Sequence, residues 1–158
     1  MRSLNLMLHS GGTAVDRETV NQVVTPRATK SWVPVAHGRL VDSLYDILPS
    51  YDLKIVEASH GLGHDGDRYF GLFQVASTVA DSDYAMVFGL RNSHDKSFPA
   101  GICLGSGVFV CDNLSFSGEV NLGRKHTRFI ERDLPSLFAT SVGRLMSLRT
   151  QQDTRFEA

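Results

Sequence analysis

The sequence predicts an α+β fold: a mostly antiparallel sheet of about five strands, with an N-terminal and a C-terminal helix packed on one face. Two observations predict it. Apolar residues recur at helical spacing over residues 37–51 and 133–149, and the stretch between them alternates apolar β-type runs with glycine- and aspartate-rich turns. The length of 158 residues is enough for one domain with its own hydrophobic core.

The chain divides into three parts by composition. Residues 1–34 contain a Gly-Gly pair and two prolines, and they predict an irregular N-terminal arm that is either a clamp on a partner or a loosely packed terminus. Residues 35–149 are predicted to form a single α+β domain, and residues 150–158 a polar tail. At the end of the arm, Trp32–Val35 is typical of an extended segment that packs one aromatic ring.

The first helix is predicted over His37–Tyr51, and Pro49 ends it. Apolar residues in this stretch recur at spacings of three and four, which places them on one face: Leu40, Val41, Leu44, Ile47 and Leu48.

Strands are predicted in the middle of the chain, where β-branched and aromatic residues are bounded by turn residues. The predicted strands are residues 53–58, 68–78, 84–90, 98–104 and 108–111, with an edge strand at 114–122. The strand at 84–90 is almost wholly apolar, which is typical of a strand buried on both faces. Gly105–Gly107 is a short hairpin signal that would join the strands at 98–104 and 108–111.

The last helix is predicted to begin at Asp133, whose carboxylate can cap it, and Pro135 is tolerated in the first turn. Its apolar residues repeat at helical spacing: Leu134, Leu137, Phe138, Val142, Leu145 and Met146.

Charge and cysteine content narrow the function classes. The formal net charge is −1, so no global field draws the protein to nucleic acid, and phosphate contacts must come from a local patch. Cys103 and Cys111 are too few for a disulfide framework, and we expect buried thiols.

The apolar run Leu4–Leu8 is too short for a signal peptide, and no run is long enough for a membrane span. We therefore expect a cytoplasmic protein.

The loop His60–Asp67 carries ligand-type side chains at short spacing. His60, His64, Asp65 and Asp67 could hold a divalent metal ion, with glycines that let the loop wrap around it. The alternative is a hairpin loop that needs Gly and Asp for its turn geometry. We favour the turn, because the spacing matches no known zinc or calcium motif.

The segment Arg91–Lys96 lies between two predicted strands. His94 could act as a general base oriented by Asp95, and Arg91 with Lys96 could hold an anion. Neighbouring residues on a strand point to opposite sides, so His94 and Asp95 need not meet. The alternative is a solvated turn in which Asn92, Ser93 and Asp95 bond to their own backbone. We favour this turn over catalysis, leave anion contact open, and assign no catalytic residue.

The densest basic cluster precedes the final helix. Two aromatic residues, Phe116 and Phe129, flank it, an arrangement suited to phosphate contact with base stacking. A solvated linker is the alternative. Backbone alternation predicts that Lys125 matters less than its neighbours. The members of the cluster are Arg124, Lys125, His126, Arg128 and Arg132.

Five segments together resemble the phage/plasmid-related protein of domain-of-unknown-function family 932. They span most of residues 30–138: Trp32–His37, His60–Leu62 with Asp67–Gly71, Gly89–Lys96, Val108–Gly118 and Arg124–Thr127. The resemblance implies a home on a phage, prophage or plasmid, and so the cytoplasm of a bacterial host, and it supplies no catalytic residues. Family members usually extend further at the C-terminal side, so this chain resembles a short form.

Three functions follow from these expectations. The first is a non-catalytic protein that binds nucleic acid, single-stranded DNA above all, as an annealing or recombination accessory of a mobile element. The second is a counter-defence protein that binds a host defence protein, such as a nuclease, or sequesters a nucleotide. The third is a metal-dependent phosphodiesterase built on the His60 loop. We favour the first, with self-association into a homo-oligomer left open.

Overall fold

The computed structural model describes residues 6–79, 86–106 and 108–157, and it shows an α+β architecture. The helices are α1 (Arg17–Gln22), α2 (His37–Ile47) and α3 (Ile130–Glu157), and a 3₁₀ turn, Leu48–Tyr51, follows α2. The strands are β1 (Thr13–Val15), β2 (Leu53–Gly63), β3 (Arg68–Ser77), β4 (Met86–Ser93), β5 (Ala100–Gly105), β6 (Phe109–Val110), β7 (Phe116–Ser117) and β8 (Val120–Arg124).

The main sheet is antiparallel throughout. Its six strands lie in the order β1-β2-β3-β4-β5-β8, so the predicted antiparallel sheet is confirmed with one strand more than expected. The additional strand comes from the N-terminal segment that we predicted to be irregular. There, Thr13 pairs with Leu62 and Val15 with His60, so β1 lies along the C-terminal part of β2.

The second strand is longer than predicted, because it runs on from Ala58 to Gly63. What remains of the predicted His60–Asp67 loop is a tight turn, closed by hydrogen bonds from Gly66 N to Gly63 O and from Asp67 N to His64 O. His64, Asp65 and Gly66 all have positive φ in this turn. Gly and Asp tolerate that conformation well, so the residues of the loop do serve turn geometry.

Helices α2 and α3 pack on one face of the sheet, as predicted. The largest fully buried side chains on this face are Tyr69, Phe73, Phe88, Leu40, Leu44, Leu48, Leu90, Ile102, Leu104, Ile130 and Phe138. The apolar stripe of α2 was read correctly from its spacing, since Leu40, Val41 and Leu44 are all buried.

Both ends of α3 differ from the prediction. The helix begins at Ile130, which is fully buried, so Asp133 lies inside the first turn and does not cap it. Pro135 is inside the helix. At the other end the helix continues through Glu157 and includes the predicted tail, because polar residues add to an existing helix at little cost.

The second face of the sheet carries a smaller apolar cluster. It consists of Phe70, Leu72, Phe98, Cys103 and Val110, and the segment 6–8 and the two-stranded ribbon β6-β7 pack against it. The predicted hairpin between residues 98–104 and 108–111 is therefore wrong: β5 pairs with β8, and β6 pairs with β7. The apolar residues of the ribbon are needed to cover the exposed face of the sheet.

Close packing of the ribbon depends on Gly89, where an added Cβ would lie 2.6 Å from Val110 and 2.7 Å from Cys103. Cys103 and Cys111 are both buried thiols, as expected, and burial raises the pKa of Cys103 to about 12.

Asp112 fastens the N-terminal segment to the ribbon. Its carboxylate accepts hydrogen bonds from Ser10 N at 2.9 Å and from Gly12 N at 2.8 Å. The chain beside it pairs with the ribbon through Met7 N to Val110 O and Asp112 N to Met7 O. Burial acts to raise the pKa of Asp112, but the backbone N–H groups outweigh it and lower that pKa overall.

Some expectations fall on residues that are not described: the turn at 81–83, the first residues of the strand predicted from Tyr84, and Gly107. Among the described residues, none of the helices is both long enough and apolar enough to span a bilayer.

We predict that Asp112→Ala lowers the free energy of unfolding by about 1.5–3 kcal/mol, because the part-buried backbone N–H groups of Ser10 and Gly12 lose a charged acceptor. Because the pKa of Asp112 is lower in the folded state than in the unfolded state, its carboxylate stabilises the fold above pH ~4. This contribution is lost as pH falls. The difference from the parent should therefore shrink below pH ~4 in urea titrations. Asn113→Ala is the control, since exposed Asn113 accepts only from Ser115 N. An equal loss in both variants would contradict the prediction.

Candidate functional site

The polar residues singled out in the sequence gather at one end of the main sheet. At this end β2 and β4 finish and β3 begins, as the pairs Gly63–Arg68 and Arg68–Ser93 show. Strand β8 finishes and β5 begins at the same end, where Arg124 pairs with Ala100. The turns that leave these strands meet the extended segment that leads into α2.

Asn92 is the centre of a buried hydrogen-bond network at this end. Its side chain is fully buried, and Nδ2 donates to Val35 O at 2.7 Å and to His37 Nδ1 at 2.9 Å. Its Oδ1 accepts from His126 Nε2 at 2.7 Å. A carbonyl oxygen can only accept, so Val35 fixes which way the amide points. We call Asn92, His37, His94 and His126 the histidine–asparagine network.

The amide orientation also fixes the tautomers of its partners. His37 accepts through Nδ1 and donates from Nε2 to Gly66 O, at 2.8 Å. His126 donates from Nε2 to Asn92 and, when neutral, carries a bare nitrogen at Nδ1. The turn between β2 and β3 is thus joined through His37 to the end of β4.

His94 stacks against His37, with ring centroids 3.9 Å apart and planes 8° from parallel. Its Nε2 donates to Val35 O at 2.9 Å. Asp95 does not orient this ring, because it pairs with Arg68 at 2.9 Å and accepts from Ser97. The structure therefore does not form the His94–Asp95 arrangement that a general base would use.

The network is uncharged at neutral pH. Burial is the main cause that lowers the pKa of His37 to about 3 and that of His126 to about 4, and the neighbouring His94 adds to both. Burial also lowers the pKa of His94. These imidazoles consequently act as neutral hydrogen-bonding groups, and His126 does not contribute the positive charge that a basic cluster would imply.

The network holds the segment before α2 in place. Val33 N donates to His126 O at 2.9 Å, while Val35 O accepts from both Asn92 and His94. Trp32, immediately before these residues, is therefore fixed beside the loop that carries His126.

A cleft of about 460 Å³ opens between these two segments, a size within the usual range of small-ligand sites. Its lining comes from three parts of the chain that the network brings together: Ser31, Trp32, Lys96, Ser97, Phe98, Pro99, Lys125, His126 and Thr127.

The cleft is positively charged. Lys96 and Lys125 line it, and neither forms an ion pair with any residue in the described ranges. Lys96 Nζ lies 5.1 Å from the ring centroid of Trp32. The nearby Asp95 is neutralised by Arg68. The cleft thus offers two cations and an indole ring to an anionic ligand.

The predicted basic cluster is only partly assembled at the cleft. Lys125 and His126 line it, so Lys125 is placed more centrally than backbone alternation led us to expect. Arg124 is exposed on the edge strand β8, while Arg128 and Arg132 lie over the ring of Phe129, with guanidinium carbons 5.2 Å and 4.1 Å from its centroid.

Arg132 also pairs with Asp133 at 3.3 Å. Arg91 does not line the cleft. It points to the other face of the sheet, over Phe98 and Phe116, and donates to Leu114 O at 3.0 Å. Burial lowers its pKa, and its contacts fasten the ribbon rather than form a binding surface.

The four candidate metal ligands are not gathered into a site. His60 is buried and bonded through Nδ1 to the Tyr69 hydroxyl at 2.7 Å. His64 Nε2 faces Arg68 at 2.9 Å, and Asp65 lies in the turn. Within the residues that the structure describes, no group of three or more His, Cys, Asp or Glu side chains could hold a metal ion.

Sequence reasoning missed the roles of Trp32, His37 and Asn92. His37 was treated only as the start of a helix, and Asn92 as a turn residue. A signal was present, because Phe88, Leu90 and Asn92 continue one inward alternation along β4. A polar residue at an inward position of a buried strand has to find partners.

No family model, no curated protein and no solved structure matches this chain. A functional assignment therefore has to come from the chemistry of the cleft and of the network behind it.

We predict that the protein loses stability as pH falls from about 6.5, through protonation of the buried network. The folded-state pKa of His37 is about 3, below the unfolded value, so its contribution is full above pH ~6.5 and is reduced by about 2 kcal/mol at pH 5. His37→Gln should flatten the pH dependence of urea unfolding between pH 7 and 5. The control is His64→Gln, because His64 is exposed. Identical slopes of stability against pH in the two variants would contradict the prediction.

Proposed function

We propose that this protein binds single-stranded nucleic acid through the Trp32–Lys125 cleft without catalysis, as an annealing or recombination accessory of a phage, prophage or plasmid. One observation carries the proposal. Two lysines without ion-pair partners in the described ranges and an indole ring line the same cleft.

The chemistry of the cleft matches the two parts of a nucleotide. Lysine ammonium groups bind phosphate and release its counterions, and no residue in the described ranges forms an ion pair with Lys96 or Lys125. Aromatic rings supply stacking surfaces for bases, which every base can use regardless of sequence. The net charge of −1 means that this local patch, rather than the whole surface, would provide the attraction.

Single strands suit the site better than duplexes do. In a duplex both faces of a base are covered by its neighbours, whereas an unstacked base can lie against an aromatic ring. In this cleft the half-buried Trp32 is the ring available to such a base, because Phe98 is buried in the second apolar cluster.

The resemblance to a phage and plasmid family supports the mobile-element setting. Three of the five segments that carry the resemblance contribute to the network or the cleft: Trp32–His37, Gly89–Lys96 and Arg124–Thr127. Segments far apart in the chain thus share a single site, which favours a common function for them.

We predict that Lys96→Gln and Lys125→Gln each weaken binding of a fluorescent single-stranded oligonucleotide several-fold at low salt. Each should also make the slope of log K against log salt shallower by about 0.7, the value for one phosphate contact on a single strand. The matched control is Lys54→Gln, an exposed lysine at the opposite end of the sheet, where β2 begins. Fluorescence anisotropy at two salt concentrations, with single- and double-stranded DNA, gives all of these values.

Two results would contradict the proposed function. One is no binding to single-stranded DNA at low salt, where phosphate contacts are strongest. The other is equal losses in the Lys54 control and the cleft variants. Competition by a mononucleotide as strong as that by the oligonucleotide would favour the nucleotide-sequestering alternative.

We predict that Lys96→Gly separates stability from binding. Lys96 has φ 64°, a left-handed conformation that is unfavourable for a residue with a side chain. Glycine should relieve this strain and raise the free energy of unfolding by up to about 1 kcal/mol, while removing one cation weakens oligonucleotide binding. Urea titration and anisotropy on the same sample test both effects, and a variant that binds as the parent does would show that Lys96 has no phosphate contact.

A further inference from the structure

We propose that His126 recognises the nucleobase in the cleft: its imidazole Nδ1 accepts a hydrogen bond from an N–H group on the edge of an unstacked base. This inference rests on the proposed function and assigns a part of the ligand to a particular atom of the site. The sequence indicated that His126 is a cation that binds phosphate. In this proposal it is an uncharged hydrogen-bond acceptor.

The orientation of the His126 imidazole ring is fixed by its hydrogen bond to the buried Asn92. Nε2 points inward and donates to Asn92 Oδ1 at 2.7 Å. Asn92 cannot turn its amide over, because its Nδ2 already donates to Val35 O and to His37 Nδ1. His126 therefore holds its proton on Nε2, and the second nitrogen keeps its lone pair.

That second nitrogen is open to the cleft. His126 lines the cleft although only 6% of its surface is exposed. Among the residues that the structure describes, none bonds to Nδ1, and Nδ1 is not one of the buried polar atoms that lack a partner. A ligand in the cleft can thus reach this nitrogen.

An imidazole nitrogen without a proton accepts a hydrogen bond and cannot donate one, so Nδ1 of His126 favours a ligand group that donates. The internal backbone of single-stranded DNA presents oxygen acceptors, which a lone pair repels, whereas A, C, G and T all have amino or imino N–H groups on their pairing edges. Burial keeps the imidazole neutral, with a pKa of about 4, so phosphate attraction does not compete with this selection. Lys96 and Lys125 then hold the phosphate while His126 contacts the base.

His126→Gln is the variant that separates the two nitrogens. The glutamine amide can place an N–H where Nε2 lies and so keep the bond to Asn92, but it places no acceptor where Nδ1 lies. Its melting temperature should stay near that of the parent. Binding is then measured by anisotropy on two DNA oligonucleotides, one with all its bases and one with abasic sites at internal positions and the same phosphates.

We expect the parent protein to prefer the base-containing oligonucleotide, and His126→Gln to lose about two- to tenfold of affinity for it. The same substitution should leave affinity for the abasic oligonucleotide unchanged, because the lost hydrogen bond is absent there. Binding by the parent should also stay level between pH 6 and 8. A cationic His126 would instead weaken binding as pH rises through this range, and that result would overturn the proposal.

The outcomes distinguish this inference from the proposed function. Absence of binding to either oligonucleotide at low salt removes the proposed function itself. Binding with equal losses on both oligonucleotides in His126→Gln overturns only the role of His126.

A measurement on the unmodified protein covers the case in which the variant misfolds. In ¹⁵N-histidine NMR spectra, the resonance of the unprotonated Nδ1 of His126 should shift on addition of the base-containing oligonucleotide and stay in place with the abasic one. A resonance that responds to both equally, or to neither while binding is observed, contradicts the proposal.

Discussion

The geometry of the site depends on one buried amide. The side chain of Asn92 bonds to three different chain segments: the extended segment that leads into α2, the first residue of that helix, and the loop after β8. Leaving any of these groups unpaired in the interior would cost about 1–3 kcal/mol, so the three segments are held together. The two sides of the cleft, at Trp32 and at Lys125–Thr127, are both attached to this network.

The lack of charge in the network is a condition for its stability. Two imidazole rings lie face to face at 3.9 Å, a distance at which two imidazolium ions would repel strongly. The positive charge of this end is carried instead by lysines at the rim, outside the buried layer. The site thus separates a neutral, rigid interior from a charged surface, and each can act on a different part of a ligand.

The sequence predicted the fold well because its patterns are local. The stripe of α2 and the paired strands β2, β3 and β4 follow from spacing within short windows. The errors have a common cause, since they concern partners distant in the chain. Nothing near Gly105 shows that β5 pairs with β8 rather than with the next apolar run, and the start of α3 is decided by the burial of Ile130 in the tertiary core.

The candidate site was predicted in part for the same reason. Lys96, Lys125 and His126 stood out as charged or polar residues in turns, whereas Trp32 gave no signal of function. The bond between Asn92 and Val35 joins residues 57 positions apart, and no pattern within one window predicts such a contact. The best sequence signal for such a contact is a polar residue at an inward position of β4, because a buried polar side chain must have hydrogen-bond partners elsewhere in the fold.

The shared hydrogen bonds of Asn92, His37 and His126 also limit how the sequence can diverge. Replacing Asn92 leaves one nitrogen of His37 and one of His126 without a partner, and replacing either histidine by a residue that cannot form the same bond leaves part of the Asn92 amide unpaired, so such single steps pass through a less stable protein. Substitution at these positions is therefore epistatic, and the three residues should change together or remain together. A joint occurrence of this triplet, at corresponding places in otherwise dissimilar chains, would mark a common ancestor more reliably than overall sequence identity does.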